Sequence, residues 1–536
     1  MPAATLPALA YGAEPGRFDE ALDGDGGLRP MWSRLVASLG QVTPAIFAER
    51  QRQADRLLDA EGAGHLVHEI SLHRGATPEH GGSSFRLDPL PFPISHDEFT
   101  VLAAAATQRM RVLEAVLGDI YGERRLVRER ALPAQTLYSL PSFKPGGVTR
   151  GRRLVTYALD VARGADGRWG VVRDITDSAG GLGVSLLLRS VIARLLPDAM
   201  RLAGVAPIND HYVALRRALL ACAPSDRRSP RCVLLTPGPA YRSYVEHSYL
   251  ATQLGYHLVG GADLVMREGR LWLRALDGLE PVDVLFRRVR DDDLDPLEAR
   301  TAAGVGVPGV VWGFGRGGIG VANAPGTAVA QEAAVAGLLG HLAQKLLGET
   351  LQLQPLEGPG LASTPVVGSS SNAFASGQVV VRLHAVAGPD GITVMPGATA
   401  RIVQPAGAAV TAVTTLKDVW VIGGPPASRR ATVRTTSAPQ VDLFTSLPKR
   451  AADSLFWLGR SAERAEVAAR TAREVRGQLD RDPGLGVDAS GWAAGALALT
   501  RAAQATSPTA ALVGVPSMDR LAAEVELTCA VVAAQL

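Results

Sequence analysis

Arg287 and Arg288 stand at the end of the apolar run VDVLFRRV, and Asp291, Asp292, Asp293 and Asp295 follow directly. Guanidinium groups make forked hydrogen bonds to phosphate oxygens, and carboxylates hold hard divalent cations. The run therefore reads either as a phosphate-and-metal cradle or as a solvated charged loop after a strand. A second candidate is the GxGxxG spacing of Gly313, Gly315 and Gly318 in WGFGRGGIGVANAPG. A dinucleotide site needs a helix to open after those glycines, and no helical run begins before Thr327, so the stretch reads as a glycine-rich turn. HLVHEISLH places His65, His68 and His73 near Glu69. The order is neither HExxH nor HxxEH, which favours surface or core histidines over a metal site. No GxSxG elbow is present, and no Ser, Cys and His spacing singles out a triad.

The elements that must carry these residues follow from periodicity. Residues 1–28 lack a period and read as a flexible leader. From Trp32 to about Arg130 apolar residues recur at helical spacing, most clearly over 97–127, which predicts a helical N-terminal region. RLVTYALDV, ADGRWG and VVRDI predict a hairpin over 153–175. The block 231–330 alternates short strands with helices, including a hairpin turned at Glu268-Gly269, which argues for an α/β layer. Residues 353–377 and 423–440 are rich in Gly, Ser, Pro and Ala and read as linkers, with strands between them in QVVVRLHAVAG, GITVMPG and DVWVIGG. A long helix is predicted from Ser446.

Composition narrows the class. The 536 residues, 47% of them hydrophobic, suffice for more than one packed domain. Lys and Arg number 55 against 52 Asp and Glu, without blocks of one sign, so charge points to neither nucleic acid nor membrane. Cys222, Cys232 and Cys529 are too scattered for a disulfide framework or a CxxC site and suit a reducing compartment. With no signal-peptide pattern and no long uncharged apolar run, the expectation is a cytoplasmic protein.

Several stretches together resemble the circularly permuted type-2 ATP-grasp family: FRLDPLPFPIS, VLEAVLGDIYGERRLV, ALDVARGADGRWGVVRDI, LLTPGPAYRSYVEHSYLATQLGYHLVGGADLV, VDVLFRRVRDDDLDPL, VANAPGTAVA, VMPGATARI and LKDVWVI. They follow the family's order from about residue 31 to 422. SLPKRAADSLFWLGRSAERAEVAARTAREV is similar to the opening of the alpha-E helical domain, of which only part is expected here. The resemblance implies an α/β ATP-grasp core over 29–422 with an internal deletion near 353–365, a linker over 423–445 and a partial alpha-E domain over 446–536. It further implies ligase chemistry of the glutathionylspermidine-synthase type, in which Mg·ATP phosphorylates a carboxylate and an amine attacks the acyl phosphate.

Against the family pattern, the metal-binding stretch reads VRDITDSAGG, keeping Asp174. Arg173 replaces an acid, Ile175 an Asn, Asp177 an Arg, and Ala179-Gly180-Gly181 a Pro-Ser-Gly. The family's Glu-Asn-Arg is Leu187-Leu188-Arg189, its Asp-Asp-Lys is Gln331-Glu332-Ala333, and the segment with the Val-Lys-Pro lysine and phosphate loop is missing. Glu246, His247, Arg287, Arg288, Asp295, Asn323, Arg401, Lys417 and Asp418 match the pattern. The resemblance assigns Arg287, Arg288, Asn323, Arg401 and Lys417 to a residual nucleotide pocket, Asp174 and Asp295 to metal, and Glu246 and His247 to the pocket wall. The expectation is a degenerate ATP-grasp protein that binds or assembles with a complete ATP-grasp ligase or an alpha-E protein. The alternative is an active ATP-dependent carboxylate–amine ligase, with Asp174, Glu332 and the acidic run on Mg²⁺ and Arg287 and Arg288 on phosphate.

Overall fold

A computed structural model describes residues 11–424 except 13, 15, 62–84, 145–150, 225, 227, 240, 242, 299–304, 359, 368–373 and 404–413, and beyond 424 only 452, 455, 456 and 459. The His65–His73 cluster, residues 425–445 of the expected linker and almost all of the expected helical C-terminal segment lie outside the described residues. The chain divides into two compact units, Met1–Val67 with Ala76–Leu273 and Leu279–Val441, and His68–Gly75 with Arg274–Gly278 and Asp442–Leu536.

Helices α1 (Pro30–Leu39) and α2 (Pro44–Ala60) open the first unit, each with Pro in its first turn, and the Thr43 hydroxyl caps α2. The expected continuous helical region is interrupted by β1 (Phe85–Ser95). Its three prolines cannot donate to a ladder, and β1 accordingly lies at a sheet edge, parallel to β15 (Thr414–Ile422), with a register break between Asp88 and Phe92. A reciprocal Ser95–Glu98 capping box then starts α3 (His96–Ile120).

The main sheet has the order β1-β15-β14-β12-β2-β3, using β2 (Thr156–Arg163), β3 (Trp169–Ile175), β12 (Phe374–Gly388) and β14 (Ala398–Val403). β11 (Ser363–Val367) and β13 (Gly391–Val394) also pair with β12. Thus the stretch expected to be linker contains a strand, and the point of the expected deletion bridges back through Pro355 to Val171 and Leu361 to Gly164. The predicted 153–175 hairpin is β2–β3. One face of this sheet packs an apolar core against α3, including Leu113, Val116, Leu159 and Leu383. α4 (Leu182–Leu195) crosses the other face and shares a second core with α1 and α2.

A four-stranded parallel sheet, β10-β9-β4-β5, is built from β4 (Cys232–Leu235), β5 (His257–Val259), β9 (Val284–Arg287) and β10 (Gly320–Ala322). α5 (Asn209–Leu220) and α6 (Tyr244–Leu254) contribute to its core. β6 (Leu264–Arg267), β7 (Arg270–Ala275) and β8 (Gly278–Val282) form a small third sheet. Positive φ at Glu268 (52°) and Gly269 (78°) makes the predicted tight turn. Gly313 and Gly318 of the GxGxxG stretch serve close packing against that hairpin: a Cβ on Gly318 would stand 1.9 Å from the Gly269 carbonyl oxygen, and one on Gly313 2.2 Å from Met266 Cε.

The N-terminal stretch also departs from expectation. Asp19, Glu20, Ala21 and Leu22 are buried, the Asp19 carboxylate accepts the Ala21 and Leu22 N–H groups, and Arg163 and Arg29 lie over the Phe18 ring. Burial of Ala21 and Leu22 and these charged anchors fix residues 18–22, inside the stretch that lack of periodicity marked as a leader. Among the described residues no helix is long and apolar enough to cross a membrane.

Candidate functional site

The C-terminal end of β9 faces the loop that joins β3 to α4. Arg287, at the strand end, is fully buried, and its Nη1 lies 2.6 Å from Asp177 Oδ1 while Nη2 lies 3.0 Å from Asp291 Oδ1. The same guanidinium donates to the carbonyls of Val289, Asn323 and Ala324 and to the Thr327 hydroxyl. Asp291 in turn accepts the Gly326 and Ala328 N–H groups. Burial first, and Asp291 second, push the Asp177 carboxyl up to about 6 despite the opposing pull of Arg287. Asn323 completes this hub: its Oδ1 accepts the Val155 and Thr156 N–H groups and its Nδ2 donates to the Thr156 and Thr176 carbonyls.

The neighbouring Arg288 points the other way along the loop. Its Nη2 donates to the Ala179 carbonyl at 2.8 Å and reaches Glu246 Oε1 at 3.3 Å, and that oxygen accepts the Gly181 N–H at 2.6 Å. Gly181 is the N-cap of α4 with φ 110°, so a left-handed turn sets this approach. Below the loop a row of polar side chains crosses the main sheet in register: Arg173, Asp160, Arg382, Thr399 and Asp418 on β3, β2, β12, β14 and β15. Arg382 holds both oxygens of Asp160 and donates to the Gly180 carbonyl, and Arg173 also reaches Asp160. Burial works to raise the Asp160 carboxyl, but the two guanidinium groups outweigh it and hold it below the usual range. From α4, Ser185 pairs with Thr399 at 2.7 Å and Arg189 with Asp418 at 2.7 Å.

The expected site residues fall into separate places. Arg287, Asn323, Arg288 and Glu246 meet around the 177–181 loop. Arg401 lies two residues beyond Thr399 on β14, hence on the same face of the sheet, and is exposed. His247 is buried with Nδ1 3.0 Å from the Thr236 hydroxyl, and burial, reinforced by Arg288, keeps its imidazole neutral. Lys417 is fully buried on the opposite face from Asp418, with Nζ 2.8 Å from Asp88 and 2.9 Å from the Leu90 carbonyl. Asp174 also faces away from the loop, toward α3. Arg109 grips both its oxygens at 2.9 and 2.6 Å, and the Tyr157 hydroxyl donates to it as well. Asp295 accepts the Leu297, Gly309 and Val311 N–H groups, which folds the loop and caps the short helix Val310–Gly315. Glu332 accepts a hydrogen bond from Ser142.

Leu187, Leu188, Asp174, Asp295, Arg287 and Lys417 do not fit the Mg²⁺ and phosphate contacts that the resemblance implies. Leu187 and Leu188, where the resemblance places Glu and Asn, are buried in the core shared with Trp32, Leu35 and Phe47. Asp174 and Asp295 have their oxygens taken by Arg109 and by backbone N–H groups. Among the described residues no three His, Cys, Asp or Glu side chains gather to hold a cation. Arg287 is neutralised from within, and Lys417 is enclosed with Asp88.

A model of the family described as circularly permuted ATP-grasp type 2 matches residues 91–359, half of the chain. The chain belongs to that family. A model described as a predicted alpha-helical domain with a conserved ER motif, Alpha-E, matches residues 447–527. Relatives of this ATP-grasp chain include the uncharacterized protein Rv2567 of Mycobacterium tuberculosis, 31% identical over 532 residues, covering 84% of this chain and 59% of that protein. Another is the uncharacterized protein sll0335 of Synechocystis, 32% identical over 330 residues, covering 60% of this chain and 66% of that protein. The ATP-grasp chain thus spans about three fifths of the length of its first curated relatives. Among solved structures, the apo form of a glutathione synthetase-like effector from Globodera pallida aligns at TM-score 0.41 and 13% identity, over 71% of this chain and 98% of that one.

Sequence reasoning passed over Asp160, Arg382 and His384 as functional candidates. The available signal was polar residues inside strands of apolar character: Asp160 in TYALDVAR, and Arg382 and His384 two apart, hence on one face, in QVVVRLHAVAG. Buried charge at such positions demands partners, which the cross-sheet row supplies.

Proposed function

We propose that this chain is an ATP-grasp-fold protein in which phosphoryl transfer is lost and the fold is kept for binding or assembly. The observation that carries this reading is the fate of the two charge-reversed positions. Asp177, where the resemblance places an arginine, sits on Arg287 at 2.6 Å, and Arg173, where it places an acid, sits on Asp160 at 2.8 Å. Each substituted group is held by a neighbour of opposite charge, Asp177 in a buried pair and Arg173 from an exposed position, which supports the reading that the phosphate and metal contacts implied by the resemblance are lost. Removing a single electrostatic contact to a transition state costs about 10²–10³ in rate, and several are missing together. The partner on this reading is a complete ATP-grasp ligase or an alpha-E protein.

The test is ADP formation by the purified chain from Mg·ATP, alone and with mixtures of small carboxylates and amines. The reading expects no ADP above the no-protein background. ADP release that disappears in Asp174→Ala while the variant remains folded would establish the active carboxylate–amine ligase instead.

A further inference from the structure

A cleft of about 590 Å³ opens at the end of β10 away from Asn323. Its walls come from the end of α5 with the chain that follows, from the chain entering β2, from the end of β12, and from residues 314–321 of the glycine-rich stretch. None of its lining residues is among those assigned above to nucleotide, metal or pocket wall. Small-molecule sites span about 300–1,000 Å³ and are mostly apolar, with a few placed polar groups.

The walls meet the first requirement. Val155, Phe314, Ile319, Val321 and Ala387 line the cleft and are each 8% exposed or less, so it reaches into the interior. Burial pushes the Cys222 thiol up to about 12 against the pull of Arg152, so this residue lines the cleft uncharged. Two strand glycines differ in meaning. A Cβ on Gly320 would stand 2.1 Å from the Cys222 carbonyl oxygen, so packing requires that glycine. A Cβ on Gly388 would meet nothing closer than Ala218 Cβ at 3.6 Å, and Gly388 has no left-handed φ. Nothing in the fold forbids a side chain there, and its absence leaves room in the wall. Apolar walls around a space of this size lose water and gain dispersion contacts when an apolar body enters.

Charge at the mouth supplies the polar group. Arg152 is exposed and is the one charged residue in the lining, and among the described residues no carboxylate pairs with it. Its guanidinium is close enough to act on the Cys222 thiol. Arg217 and Asp390, which flank the cleft, pair with each other at 3.7 Å and add no net charge. A guest that is apolar along its body and carries one negative charge at its outer end therefore matches both walls and mouth.

We infer that the cleft between α5, β10 and β12 binds a small amphiphilic monoanion, its apolar body against Phe314, Ile319 and Val321 and its anionic group on Arg152. The site lies apart from the β3–α4 loop and needs no nucleotide, so it stands or falls independently of the loss of phosphoryl transfer.

The probes are anilinonaphthalenesulfonate and phenylnaphthylamine, which share an apolar body and differ in the sulfonate. Titrated into the full chain at low ionic strength, the sulfonate is expected to give a saturable fluorescence rise and to bind more tightly than the neutral amine. Arg152→Gln should weaken the sulfonate about fivefold and leave the amine unchanged. Gly388→Leu fills the cleft from its wall and should weaken both probes about tenfold or more, with the circular dichroism of the wild type retained. No saturable rise, or a rise undiminished in folded G388L, would overturn the cleft as a site. Equal affinities for the two probes, or sulfonate binding unchanged in R152Q, would overturn the monoanion. Should G388L fail to fold, R152Q decides alone, because a loss confined to the sulfonate places that probe at Arg152 and an equal effect on both probes does not.

Discussion

Replacing Arg287 by Met tests whether this arginine is a structural hub or a cationic ligand kept for phosphate. The substitution retains volume and removes the positive charge that separates Asp177 from Asp291, both buried. Stranding one member of a buried ion pair typically costs about 3–5 kcal/mol. Here two carboxylates are stranded, and the carbonyls of Val289, Asn323 and Ala324 lose their donor, so a loss of at least about 4 kcal/mol at pH 7 is expected. The loss has a pH signature. In the intact protein Asp177 is already raised from 3.8 to about 6, and without Arg287 it rises further. A carboxyl whose folded pKa exceeds its unfolded value favours the folded state as pH falls, so the deficit of R287M should shrink between pH 7 and 5. Urea unfolding followed by circular dichroism at pH 7 and 5 measures both. Replacing Asp177 by Asn in the R287M background should restore part of the loss at pH 7. Wild-type stability for R287M, or a deficit independent of pH with no rescue by D177N, would refute the hub.

Asp174→Ala should lower stability by roughly 3 kcal/mol, because Arg109 is left buried without its counter-charge; a fully stable variant would show that the pair is dispensable. Acidification should weaken the fold through His211, whose imidazole burial lowers from 6.5 to about 3. Its stabilising effect is complete above the unfolded pKa and is lost as pH falls from 6.5 toward 3, amounting to about 2 kcal/mol by pH 5. His211→Phe should flatten the stability–pH curve over that window, and an unchanged curve would contradict the assignment. Restoring the family's residues with L187E and L188N should destabilise by several kcal/mol, at least about 4, by placing polar groups in the core with Trp32 and Phe47, and should yield no ADP formation. Gain of ADP formation in that double variant would contradict the view that these positions have been absorbed into packing.

The fold was legible where pattern and chemistry agreed. The β2–β3 and β6–β7 hairpins, the short strands of 231–330 and the helical character of α3 all follow from periodicity and turn residues. β1 was hidden because its three prolines suppress a strand signal that an edge position tolerates. β11 was hidden in a Gly- and Ser-rich stretch whose pairing with β12 is a long-range choice. At the site, the charge reversals at 173 and 177 stand out in the sequence, but their partners do not. Asp160 and Arg287 are brought to them by sheet register and by the β3–α4 loop, neither of which spacing alone specifies. Asp174 and Arg173 are adjacent in sequence yet lie on opposite faces of one strand, which separates an α3 ion pair from the cross-sheet row.

The central claim is that Asp174, Asp295, Arg287 and Lys417, which the resemblance assigns to metal and phosphate, are here committed to buried ion pairs and backbone hydrogen bonds. Thermal unfolding of the full chain with and without millimolar Mg·ATP, with Mg²⁺ and chloride controls, tests it most directly, because a ligand bound only by the native state raises Tm. The account predicts no shift beyond the controls. A saturable rise with Mg·ATP would contradict it.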